Sequence, residues 1–292
     1  MAYLIVLLAA VFHAVWHSMI KHSPDKLMTL ASIRLVGVAA GVVLAVYWGL
    51  PKASVWPYLL SAATLHFVYF YFMINTYRLG DFSKVYPISR GVAPVLVLLL
   101  AMLFVDERLS VWQLSATLLI SFGILCLAKS SSKLTVKSNR PTTGGDRSQQ
   151  TKAVLYALFT GVAIAGYTFI SGLGVREADS FWRYIGWLEA ITGIGVWLFV
   201  LLRPSSRQLL VGYACQHWQF GLTAGILSVT SFGAAIWAMQ NLPMAPVTAL
   251  RETSIIFGAL IGVFFLREVM SFWRVCAAIL VALGVSLLGL GA

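Results

Sequence analysis

The chain has 292 residues, 60% of them hydrophobic and 11% charged, with a net charge of +11. A soluble domain carries about 25% charged residues, so this composition leaves too little polar surface for a fold that faces water all round. Its Lys and Arg lie mostly between apolar runs, and no basic stretch is interleaved with exposed aromatics, which argues against a nucleic-acid partner.

The apolar runs are about 20 residues long and do not alternate, a pattern of membrane-spanning helices rather than of barrel strands. Ten spans are predicted, near 2–20, 28–50, 55–77, 84–105, 110–128, 152–173, 181–202, 217–239, 244–266 and 271–290. The first opens MAYLIVLLAAVFHAVWH, with no basic n-region and no small-residue cleavage site, and is expected to be a span rather than a signal peptide. Span four contains Pro87 and Pro94, and Pro243 and Pro246 open span nine; a proline inside a span frees a carbonyl and permits a bend. Short connections rich in breakers join the spans (HSPDK, GLPK, RLGD, DERLS, RPSS, NLPM). Residues 129–151 are polar and of low complexity, and are expected to link a first five-helix half, 1–128, to a second, 152–292. Gly37-x-x-x-Gly41, Gly221-x-x-x-Gly225 and Gly258-x-x-x-Gly262 offer small faces for close helix approach. Cys126, Cys215 and Cys276 are far apart and suggest neither a disulfide nor a metal framework.

The halves repeat. Aligning YPISRGVAPVLVLLLAMLFVDERLSVWQLSATLLISFGI with VTALRETSIIFGALIGVFFLREVMSFWRVCAAILVALGV places Arg90 on Arg251, Glu107 on Glu268, Ser110 on Ser271, Trp112 on Trp273 and Gly123 on Gly284, a constant offset of 161 (251 − 90 and 284 − 123). Arg34-Leu-Val-Gly37 of span two likewise matches Arg183-Tyr-Ile-Gly186 of span seven. An odd number of spans per half means that the second half enters the membrane upside down. The expected fold is thus an all-α membrane protein of ten transmembrane helices built from two inverted five-helix repeats, a recurring plan of secondary transporters.

On YPISRGVAPVLVLLLAMLFVDERLSVWQL and the second copy ending FFLREVMSFWR, the sequence resembles the EamA branch of the drug/metabolite transporter superfamily. HAVWH and YPISRG are also similar to members linked by association to phosphonate use. The resemblance implies a ten-helix bundle in the cell (inner/plasma) membrane, with a central cavity lined by spans 1–4 and 6–9 and with spans five and ten at the periphery. It implies export or exchange of metabolites. The related four-helix multidrug exporters carry a Glu in their first helix; span one here has no acid, so their proton-coupled cation export is not carried over.

Ionisable groups inside apolar spans are expensive and mark candidate sites. His13 and His17, four residues apart with Trp16 beside them, share a helix face; a proton-relay or substrate-binding pair, metal or haem ligands, and ordinary interhelical hydrogen bonding all fit them. Arg90 and Arg251 are repeat-equivalent and suit a carboxylate or phosphate through a bidentate fork, or else form structural ion pairs with Glu252 or Glu189. Tyr69 and Asn75 in the aromatic span three can line a pocket, with Tyr167, Trp187 and Trp237 as counterparts in the second half; interfacial belts and plain packing are the alternative. Glu107 and Glu268 lie at turns and suit structural caps. Three arginines within spans (Arg34, Arg90, Arg251) against two acids (Glu189, Glu252) tilt the expected solute towards an anion or zwitterion.

The expected function is secondary active transport, by export or exchange, of a small polar metabolite through alternating access. No catalytic residue, cofactor or metal is expected, nor any enzymatic activity, and a monomer and a homodimer both remain open. The alternative is an intramembrane metal- or haem-binding redox protein using His13, His17 and His66. Of the loop Lys and Arg, the side of the termini holds only Lys52, Arg108, Arg176 and Arg183, so the positive-inside rule places both termini outside and 129–151 in the cytoplasm. The resemblance implies cytoplasmic termini instead.

Overall fold

A computed structural model describes residues 1–23, 25–80, 82–130, 144–202, 207, 212–266 and 271–290. Its elements are helices: α1 (Ala2–His22), α2 (Lys26–Trp48), a 3-10 turn (Ala53–Val55), α3 (Trp56–Leu79), α4 (Phe82–Val105), α5 (Val111–Ser130), α6 (Gly144–Glu177), α7 (Phe181–Leu201), α8 (Trp218–Ala238), α9 (Met244–Glu252), α10 (Ser254–Leu266) and α11 (Phe272–Leu290). Among the described residues, nine of these are long and apolar enough to cross a membrane. The predicted ninth span, 244–266, is divided: α9 has 9 residues and α10 has 13, and Thr253 between them donates its hydroxyl to the Leu250 carbonyl at 2.6 Å. Of the predicted linker 129–151, residues 144–151 belong to α6, which starts at Gly144, and 131–143 lie outside the described residues. Hydropathy marks where a helix enters the apolar layer, and the polar GGDRSQQT turns continue it on the water side. Pro87 and Pro94 lie inside α4 without ending it.

The chain forms two compact units, 1–67 with 170–241 and 68–169 with 242–292. Each takes segments from both sequence halves, and α3 and α6 contribute to both units.

In the first unit α2 is started by Asp25, whose carboxylate accepts the N–H groups of Leu27 and Met28 at 3.0 and 3.1 Å. It ends at Gly49, whose φ of 76° is the left-handed conformation that glycine adopts without a steric penalty. Between these ends α2 lies against α7 along a glycine seam. A Cβ at Gly41 would stand 2.6 Å from the Ala190 nitrogen, and one at Gly186 would stand 2.7 Å from the Leu44 Cβ. The Gly221 and Gly225 face of α8 meets Ser32 and Val36 of α2 in the same way. Arg176, in the last turn of α6, donates from Nε to the Met239 carbonyl at the end of α8 at 2.8 Å. At the α2–α7 rim Lys52 pairs with Asp179, and Trp187 donates its indole N–H to the Gly49 carbonyl at 3.0 Å. The adjacent Asp179, by hydrogen bond and charge, raises the exposed Lys52 ammonium above the ordinary lysine value.

In the second unit α5 packs on α11 through the aligned glycines. A Cβ at Gly123 would meet Val281 and the Ala277 carbonyl, and one at Gly284 would meet Ile120 and the Ala116 carbonyl, at 3.0, 3.2, 2.6 and 3.1 Å respectively. Residue numbers fall along α11 as they rise along α5, so the two helices are antiparallel. Each of these contacts becomes the other when 161 is added to its α5 member (116 to 277, 120 to 281, 123 to 284). Of the expected small faces, Gly258 meets no described atom within 4 Å, and the side chains around Gly262 lie outside the described residues.

Candidate functional site

The second unit brings together three charged side chains. Arg90 comes from α4, and Arg251 and Glu252 are the last two residues of α9. Two sequence features aim them. Gly91 lets α4 approach α5, since a Cβ there would lie 2.7 Å from Leu125. Two residues earlier on α4, the Ser89 carbonyl lies against Gly161 of α6, 2.9 Å from where the Gly161 Cβ would be. Arg90 is thus flanked on α4 by backbone-close contacts on both sides. Pro94 has no N–H to give to the Arg90 carbonyl one turn before it. At α9, Pro243 and Pro246 occupy the cap and first turn, where a missing N–H breaks no helical bond. Glu107, from the α4–α5 turn, accepts the Met244 N–H at 3.0 Å and so caps that helix. Its repeat partner Glu268 lies outside the described residues.

Arg90 Nη1 donates to both oxygens of Glu252, at 3.3 Å to Oε1 and 3.1 Å to Oε2. Arg251 donates to Oε1 from Nη2 at 2.9 Å and from Nε at 3.3 Å. The three residues are 2%, 2% and 0% exposed, so two guanidinium groups share one carboxylate out of reach of solvent. The Tyr86 ring lies 5.2 Å from the Arg90 guanidinium carbon, in cation–π range. Tyr69 and Tyr167, both buried, pack edge to face at 5.7 Å. Asn75 gives its amide N–H to the Tyr71 carbonyl of its own helix at 2.8 Å.

The other candidates lie in the first unit. Glu189 is paired there with Arg34, at 3.2 Å, and Thr192 accepts from Arg34 Nη2 at 2.9 Å. Glu189 Oε1 and Arg34 Nε are buried without a hydrogen-bonding partner. His13, Trp16 and His17 form a ring stack on α1, with centroids 5.1 Å apart for His13–Trp16, 4.4 Å for His13–His17 and 3.9 Å for Trp16–His17. One turn before His13, the Ala9 carbonyl accepts from Ser231 of α8 at 2.7 Å. His66 bonds the Ala62 carbonyl at 2.9 Å and packs on Phe232. Among the described residues no three His, Cys, Asp or Glu side chains are grouped so as to hold a metal ion.

A family profile described as the EamA-like transporter family matches residues 1–129 and 151–290. No curated protein matches the chain. Twenty-nine chains of solved structure do. One of them, a crystal structure of a protein, shares 17% identity with a TM-score of 0.68 and covers 99% of this chain and 95% of its own. At that identity the likeness speaks for the fold alone.

Proposed function

Since the chain belongs to the EamA-like transporter family, we propose that it is a secondary active transporter which exports or exchanges a small anionic or zwitterionic metabolite, with Arg90 and Arg251 as the anion-recognising groups. The observation carrying this reading is the pair of fully buried guanidinium groups on a single carboxylate. A buried ion cluster is a poor way to stabilise a helix bundle, because apolar residues of the same volume do as well or better. Its retention in an apolar layer fits a binding role. The proposed cycle is alternating access between two inverted five-helix repeats, 1–128 and 152–292, joined by a linker. The antiparallel, exchangeable contact of α5 with α11 supports that arrangement.

Counterflow of labelled carboxylates and amino acids in proteoliposomes tests the proposal. Saturable exchange is expected for at least one solute. Arg90→Ala should lower it by about 30-fold or more, corresponding to about 2 kcal/mol for truncating one partner of a buried charge pair. Arg108→Ala, at an exposed ion pair, should leave it unchanged. Absence of saturable flux across the whole panel would remove the transporter reading.

A further inference from the structure

Arg34 of α2 and Glu189 of α7 form an ion pair in the first unit that the proposed anion site does not include. The two residues are 8% and 2% exposed. Arg34 Nη1 donates to Glu189 Oε2 at 3.2 Å. Arg34 Nη2 donates to the Thr192 hydroxyl at 2.9 Å, and that hydroxyl donates on to the Leu188 carbonyl at 2.7 Å. The pair is firmly seated. Glu189 Oε2 lies over Gly37 of α2, 2.7 Å from where a Cβ would stand. The Arg34 carbonyl lies over Gly193 of α7, 3.1 Å from where a Cβ would stand. Each helix thus makes room for the other's charged residue at a glycine.

Two polar atoms of the pair are nevertheless unmatched. Arg34 Nε and Glu189 Oε1 are both buried without a hydrogen-bonding partner. An arginine and a carboxylate that serve only to join two helices favour two parallel bonds, which leave fewer atoms idle. Buried donors and acceptors without partners are costly and rare. Here one donor and one acceptor remain, each separated by a single carbon from the atom that makes the ion pair.

Ligand chemistries can be compared on that basis. A carboxylate has only acceptors, so its second oxygen would face Glu189 Oε1 with no proton between them. An ammonium has only donors and would set an N–H against Arg34 Nε. A zwitterion brings three N–H groups to the one free oxygen. A carboxamide or lactam carries one carbonyl and one N–H side by side. It is also uncharged, so it leaves the charge balance of the pair intact and enters an apolar layer at lower cost than an ion. We infer that Arg34 and Glu189 form a second solute site, which takes an uncharged amide edge with its carbonyl on Arg34 Nε and its N–H on Glu189 Oε1. Thr192 holds the guanidinium in place through Nη2 and leaves Nε for the ligand.

The test is ligand-induced stabilisation of the purified, detergent-solubilised full chain, with dissociation constants taken from the rise of melting temperature with ligand concentration. The probes are acetamide, propionamide, benzamide and 2-pyrrolidone, with acetate, propionate and benzoate as isosteric acids. At least one amide is expected to stabilise the wild type. Arg34→Met/Glu189→Leu removes both unmatched atoms and leaves no lone charge, and should abolish that stabilisation. Glu189→Gln replaces the free oxygen by an N–H donor. It should weaken amide binding by about tenfold or more, the equivalent of about 1.4 kcal/mol, and create carboxylate binding that the double variant lacks. A purely structural ion pair predicts no such exchange of preference. Amide binding that persists in the double variant, or that Glu189→Gln leaves unchanged, overturns the inference. So does a wild type that no amide stabilises, since solvent alone would then satisfy the pair. If Glu189→Gln does not fold, loss or retention of amide binding in the double variant decides. Carboxylate binding common to the wild type and the double variant bears on the Arg90–Arg251 reading instead, so the two proposals fail separately.

Discussion

Replacing Glu189 by Ala leaves Arg34 buried with no counter-charge. The expected loss is about 3–5 kcal/mol of stability, measured as unfolding in denaturant, with Glu189→Gln milder because its amide oxygen can still accept. The double replacement Arg34→Met/Glu189→Leu should recover most of that loss, since it removes both desolvation penalties. Recovery of stability with full flux would assign the pair to structure. The sequence made both residues visible as charges in apolar spans, yet left Glu189 open as a partner for Arg90 or Arg251. Helical periodicity tells which side chains share a face, not which helix that face meets, and only the α2–α7 seam joins Glu189 to Arg34. Arg90 and Arg251 were more legible. Their common offset within the repeat marked them as a pair, and the two placements differ in the one position, Gly91 against Glu252, that supplies the shared carboxylate.

At the scale of helices, small residues decide how closely backbones approach. Gly41→Ala puts a methyl 2.6 Å from the Ala190 nitrogen. Backbone cannot swing aside as a side chain can, so a destabilisation of roughly 1–3 kcal/mol is expected. Gly233→Ala meets nothing nearer than 3.8 Å and should be neutral or slightly stabilising; parallel thermal melts of the two variants check the contrast. Thr253→Val deletes the hydroxyl that bonds the Leu250 carbonyl. Stability should change by about 1 kcal/mol or less, while counterflow slows several-fold if the interruption is the moving joint. Sequence placed prolines in both equivalent spans and could not tell which would be divided. Two prolines leave α4 whole. The division after α9 falls at a threonine that no local pattern distinguishes from the threonines inside unbroken helices, such as Thr76 and Thr160.

For the molecule as a whole, hydropathy makes the spans legible in the sequence, because an apolar layer imposes a similar length on each helix. What hydropathy does not register is helix outside that layer, which is why α6 starts eight residues before the predicted span. The basic tally puts the segment between α7 and α8 on the cytoplasmic side. Its Cys215 is exposed, whereas Cys126 is buried and Cys276 partly so. A membrane-impermeant maleimide is therefore expected to modify Cys215 in inside-out vesicles and not in intact cells. Labelling of intact cells would reverse the orientation and favour cytoplasmic termini.

The contact between α5 and α11 is reciprocal. Gly123 meets Ala277 and Val281, while Gly284 meets Ala116 and Ile120, so each partner plays the same role towards the other. Interfaces of that kind are isologous, the hallmark of two identical subunits related by a dyad. Here both sides of the contact belong to one polypeptide, and the glycine that makes it occupies the same place in each aligned stretch. Two separate copies of such a helix would meet through this same surface, each glycine receiving the other's Ala and β-branched side chain.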